Sequence, residues 1–165
     1  MLIFLCSCTS SSPDSADDSS TAPPGDAVSF HEVAYGEVGG PDSVKGATAC
    51  ETAVATLVGS EKDLRTVLDT ELQGLATPTG IDWTKEDVVV AYIAYCTHGK
   101  QDLEMTDVWD LGGGVLQVDL TFHDGPLGTG MMARAYTIAT VPAGSLSATA
   151  NLSIDDSDTG FGSRD

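Results

Sequence analysis

Cys96 and His98 have the shortest route to covalent chemistry in this 165-residue chain. A thiol becomes a nucleophile as its thiolate, and an imidazole two residues along a strand shares its face and could take the proton. That pairing would make the domain a cysteine-dependent hydrolase. It stands without an Asn or Asp partner at a recognisable spacing and without an oxyanion-hole motif. The sequence also has no Gly-x-Ser-x-Gly, Walker loop or dinucleotide fingerprint. His31, His98 and His123 lack the short spacing that makes a zinc site readable. Asp155-Asp156-Ser157-Asp158-Thr159-Gly160 begins like a calcium loop but has no terminal glutamate. The polar residues therefore predict no catalytic, cofactor or metal site, and the leading expectation is a protein that is not an enzyme.

Cys8 carries a different chemistry. Leu5-Cys6-Ser7-Cys8 places leucine at −3 and a small residue at −1 before a cysteine. This order resembles a bacterial lipobox, whose cysteine thiol takes a diacylglycerol and becomes the new N-terminus. Cys6 is a poor acceptor, because bulky Leu5 fills its −1 position. The apolar run Leu2-Ile3-Phe4-Leu5 is shorter than a usual signal core, and no Lys or Arg precedes it. Residues 9–26 are nearly all Ser, Thr, Asp, Pro, Gly and Ala. They bury too little apolar surface to offset the entropy of ordering, so they read as a tether. The predicted location is the bacterial envelope, on the outer membrane or cell surface in preference to the inner membrane. Export brings the chain into an oxidising compartment, where Cys50 and Cys96 are expected to pair as a disulfide; two buried free thiols are the alternative.

Charge narrows the partners. The formal net charge is −18, with only seven Lys or Arg residues. Nucleic acid needs a clustered basic patch and is excluded as a partner. An anionic membrane surface would repel the domain, so attachment would come through lipid alone. No stretch approaches the roughly 20 apolar residues of a membrane-spanning helix.

The elements that position these residues follow from periodicity. The chain divides into a truncated signal at 1–8, a tether at 9–26, one globular domain at 27–154 and an acidic tail at 155–165. Residues 28–37 and 48–58 read as strands. Ser60 is a helix N-cap with Asp63 three residues on, and Leu64, Val67, Leu68 and Leu72 form one apolar stripe. Gly74 suits the residue just past the helix. Residues 88–95 are apolar on both alternating faces, as in a central strand covered on both sides. Residues 103–110 form a further strand, and Gly112-Gly113-Gly114 a hairpin turn. Leu116, Val118, Leu120 and Phe122 then alternate with Gln117, Asp119, Thr121 and His123. Residues 132–141 and 145–154 complete the set, with Leu146, Ala148, Ala150, Leu152 and Ile154 expected inward. The predicted fold is α+β or mainly β. It has a largely antiparallel sheet of six to seven strands and one short amphipathic helix before the central strand.

Ile81-Asp82-Trp83, a short polar gap and Val88-Val89-Val90 resemble a step in the C-terminal domain of PrcB, a family of protease-complex-stabilising bacterial lipoproteins. Ala135-Tyr136-Thr137-Ile138-Ala139-Thr140-Val141-Pro142 is similar to that family's closing strand. Where the family carries Thr-Gly-Gly-Tyr after the central strand, this chain has Cys96-Thr97-His98-Gly99-Lys100. The resemblance implies an envelope protein that holds a protease-like partner without catalysis. The expected partner contacts are Trp109, an indole beside a glycine turn, together with His98 and Lys100. Oligomeric state stays open.

Overall fold

Val88, Val90 and Tyr92 alternate with Val89, Ala91 and Ile93 along one strand, and all six are buried. A strand apolar on both faces needs a cover on each, and this chain supplies two different ones. The computed structural model describes residues 23–39, 52–94, 96–97, 101–124 and 132–155. Among these residues it is mainly β, with two mostly antiparallel sheets and one helix. The elements are β1 (Asp26–Ala27), β2 (His31–Gly39), β3 (Ala53–Val58), α1 (Glu61–Glu71), β4 (Glu86–Ile93), β5 (Cys96–Thr97), β6 (Gln101–Asp110), β7 (Val115–Asp124), β8 (Met132–Pro142) and β9 (Ser147–Asp155).

One sheet has four strands in the order β1-β6-β7-β9; the other has five, ordered β2-β8-β4-β3 with β5 also on β8. This corrects the expected single sheet of six to seven strands. The cause lies in β4: an 11-residue helix covers only one of its faces. Val89, Ala91 and Ile93 instead meet Leu103, Met105, Val108, Leu116, Val118, Leu120 and Phe122 of the four-stranded sheet. Val88, Val90 and Tyr92 turn the other way, to Leu64, Leu68 and Leu72 of α1. The layers are therefore helix, five-stranded sheet, four-stranded sheet.

The helix begins as its residues dictate. Ser60 is extended (φ −154°, ψ 154°), and its hydroxyl oxygen accepts the Asp63 N–H at 3.2 Å. Asp63 differs from a full capping box: its carboxylate accepts a hydrogen bond from the Ser60 hydroxyl at 2.7 Å. At the other end the left-handed turn starts one residue earlier than Gly74. Gln73 (φ 53°) and Gly74 (φ 74°) both adopt it, which returns the Gly74 N–H to the Leu68 carbonyl at 3.1 Å.

Two expected strands change shape. The strand expected at 28–37 begins only at His31, as β2, because the chain arrives from β1 in the other sheet. Residues 28–30 cross between the sheets, with Val28 and Phe30 packed against the inter-sheet core. The stretch at 145–154 becomes β9, which pairs in parallel with β7. Its ends escape burial: Leu146 is 81% exposed, in the loop before the strand, and Ile154 is 44% exposed at its far end.

Burial on the helix face sets a stability test. Leu68 has no exposed surface, so Leu68→Ala removes buried methyl groups and leaves a cavity. It should cost about 2–5 kcal/mol in urea unfolding, whereas Leu146→Ala should stay within about 0.5 kcal/mol. Similar losses for the two variants would contradict the packing described.

Candidate functional site

Because Leu116, Val118, Leu120 and Phe122 point into the core, the intervening residues of β7 line the outer face of the four-stranded sheet. Trp109 joins them from β6, directly opposite Gln117. Its indole N–H donates to Asp119 Oδ2 at 2.7 Å. The other oxygen of that carboxylate accepts from Gln117 Nε2 at 2.8 Å and from Asn151 Nδ2 at 2.9 Å. One carboxylate thus ties three strands and fixes the ring of a half-buried tryptophan. Farther along, Thr121 and Ser153 hydroxyls lie 3.0 Å apart, and His123 Nε2 lies 3.3 Å from Glu104. The face is polar and hydrogen-bonded, with one aromatic ring near its turn end.

Its charge is one-sided. The strands of this sheet carry Asp102, Glu104, Asp107, Asp110 and Asp119 among their residues, and no Lys or Arg. Among the described residues the cations Lys62, Arg65, Lys85 and Arg134 lie on α1, the loop before β4, and β8. Such a surface attracts a basic partner and repels an anionic one. Beside Trp109, Gly25 lies so close to Asp110 that a Cβ there would collide with the Asp110 carbonyl oxygen. That close approach lets β1 seat Ala27 opposite Trp109.

A second polar cluster lies between α1 and the five-stranded sheet. The last turn of α1 has no basic residue of its own. Arg134 of β8 supplies one, donating from Nη1 to the Glu71 carbonyl at 2.7 Å and to Glu71 Oε2 at 3.0 Å. A cation there answers the partial negative charge of the helix C-terminus. The guanidinium also lies 4.6 Å from the Tyr92 ring centre. Burial, and then the nearby Glu71 carboxylate, raise the Tyr92 hydroxyl above its ordinary pKa. This cluster holds the helix on its sheet. In the loop leading to β4, Asp82 accepts the Thr84 hydroxyl at 2.6 Å, which with Lys85 lowers its pKa.

The residues singled out from sequence fall in several places. Trp109 lies on the outer face as described. Cys8, Cys50, His98 and Lys100 lie outside the described residues, as do the acidic residues after Asp155. Cys96 is described by its backbone, which pairs with Ala133 in β5–β8. The β3–β4 register sets Ala53 opposite Ile93, and the Ala94 N–H donates to the Thr52 carbonyl at 3.1 Å. His31 begins β2 and His123 nears the end of β7, at opposite ends of the sandwich, so these two do not share a site.

Sequence reading missed Asp119 as a hub and Arg134 as the helix clamp. The hub was within reach, since a hairpin closing on the glycine turn brings Trp109 near Gln117 and Asp119. Arg134 gave no local signal, because its partner lies 63 residues earlier.

Asp119→Ala should free the Trp109 ring and shift tryptophan emission to longer wavelength with little loss of stability. Trp109→Phe should abolish that shift, leaving only the Trp83 emission. A shift of equal size in Asp119→Ala/Trp109→Phe would contradict the hydrogen bond.

No protein-family model matches the chain, and no curated protein or solved structure matches it either.

Proposed function

We propose that this is a lipid-anchored protein of the bacterial envelope whose domain binds or stabilises a protein partner and does not catalyse a reaction. The observation that carries the reading is Trp109, held half-buried on an otherwise polar sheet face by the Asp119 carboxylate. A fixed aromatic ring loses little entropy on contact, which is why such rings anchor protein interfaces. The absence of Lys and Arg from the strands of that sheet favours a partner with a basic surface.

The anchor rests on Leu5-Cys6-Ser7-Cys8 and the tether that follows. A coil of that length reaches roughly 20–25 Å root-mean-square, enough to hold the domain clear of a membrane. The resemblance to the PrcB C-terminal domain supports a protease-like partner. The two segments that carry it lead into β4 and form β8, which pair with each other from Glu86↔Pro142 to Tyr92↔Tyr136. A Cys50–Cys96 disulfide belongs to the same reading. It would consume the thiol that a Cys96–His98 hydrolase needs.

The test is capture from the native envelope, with peptide mass mapping of the same preparation. Wild type should retain a partner that Trp109→Ala releases at least tenfold more readily, while His98→Ala retains it. Mass mapping should find a diacylglyceryl group on Cys8 and a linked Cys50–Cys96 peptide. Ester or peptide hydrolysis that His98→Ala abolishes, with no partner retained, would overturn the reading.

A further inference from the structure

The chain enters the domain at the glycine-turn end. β1 pairs Asp26↔Asp110 and Ala27↔Trp109, so Gly25 before it lies beside the turn at 111–114. Fourteen residues, 9–22, separate Cys8 from Pro23, the first described residue. A second loop adjoins the turn: the Leu146 and Ser147 N–H groups both donate to the Gly114 carbonyl, at 2.7 and 3.2 Å. Each loop presents one leucine. Leu111 is 42% exposed and Leu146 81%. The other large apolar side chains exposed among the described residues, Tyr35, Val54 and Ile154, lie on strands.

Both loops are uncharged in a chain of net charge −18: 111–115 reads Leu-Gly-Gly-Gly-Val and 142–147 Pro-Ala-Gly-Ser-Leu-Ser. Carboxylates stand at their bases, where Asp110 accepts the Gly112 N–H at 2.7 Å and Asp87 the Gly144 N–H at 2.9 Å. Asp26 and Glu86 lie at the same level, opposite Asp110 and Pro142. Lys85 adds one cation, its carbonyl accepting the Ala143 N–H and its ammonium 3.0 Å from Asp82. Leucines on uncharged loops suit the boundary between lipid headgroups and acyl chains. The carboxylates behind them disfavour an anionic surface and tolerate a zwitterionic one. From free solution a contact through two leucines is weak. A lipid on Cys8 makes it intramolecular and raises its effective concentration. The tether permits clearance as well as contact, so what this end presents decides between them.

We propose that, with Cys8 lipidated, the Leu111 and Leu146 loops rest in the headgroup region of a zwitterionic bilayer and fix which end of the domain faces it. The inference rests on the lipid-anchored reading and names the surface that meets the membrane. The lipid attaches the chain; the loops orient the domain. Strands of both sheets run away from this end, so the Trp109 face stands to the side, where a partner can reach it.

Amide NMR of the lipidated full chain in phosphatidylcholine nanodiscs that carry a gadolinium headgroup lipid tests it. Relaxation should be enhanced about tenfold more at Gly113 and Gly144 than at Gly39 and Ile93, which lie at the other end. Leu111→Asn/Leu146→Asn should remove most of that difference, with the lipid still on Cys8 by mass spectrometry and far-UV circular dichroism unchanged. Phosphatidylglycerol in place of phosphatidylcholine should reduce the contact at low salt. Equal relaxation at the two ends, indifference to the double substitution, or a stronger contact on phosphatidylglycerol would overturn the proposal and leave the anchor intact. A dimer in detergent that the double substitution dissolves, with no lipid-dependent relaxation, would overturn it in favour of a contact between copies. A Cys8 that carries no lipid would overturn the anchored reading, and the proposal with it.

Discussion

The structure depends on β4 having no polar face. Every residue from Val88 to Ile93 is buried, so the strand is stable only between two apolar layers. β8 shares the constraint: Ala135, Ala139 and Val141 face the second sheet, while Tyr136 and Ile138 face the helix. Their pairing forms the middle of the molecule. Each fully buried aliphatic side chain on it is worth about 1.5–3 kcal/mol of apolar transfer. No other pair of strands in the described residues is enclosed in this way.

Division of labour between the two covers follows. The described cations lie on α1, the loop before β4 and β8, and among them the Arg134 guanidinium joins the end of α1 to β8 and to the Tyr92 ring. The four-stranded sheet keeps one apolar face inward and a polar, acidic face outward. With that packing in place, its outer residues are free of any role in the core. Asp119 can gather Trp109, Gln117 and Asn151 there without leaving a buried charge unpaired. The surfaces suited to recognition are thus the ones the core does not need.

Much of this was legible in the sequence because it is local. The N-cap at Ser60, the stripe Leu64, Leu68 and Leu72, the two-faced run at 88–93 and the alternation from Leu116 to Phe122 each follow from a spacing of a few residues. What escaped was set by contacts between distant segments. A single periodic strand at 28–37 could not reveal that the chain changes sheets at 28–30. The alternation at 145–154 predicts the strand but not where the core stops covering it, so it points Leu146 and Ile154 inward although both are exposed. The second sheet was implied by the double-sided run yet counted as part of one layer, since periodicity shows how many faces a strand buries and not what covers them. At the candidate site, Trp109 was visible from its type and its turn. The clamp by Asp119 needed the hairpin register, and Arg134 needed the tertiary fold.

Native-state hydrogen exchange tests the central claim most directly, since it ranks strands by the free energy needed to open them. If β4 and β8 are the doubly covered middle, their amides at 88–92 and 136–140 should exchange last, only through global unfolding. Those of β2 and β9 at the margins should exchange earlier, through local opening. Amides of α1 or β7 outlasting those of β4 would contradict the account.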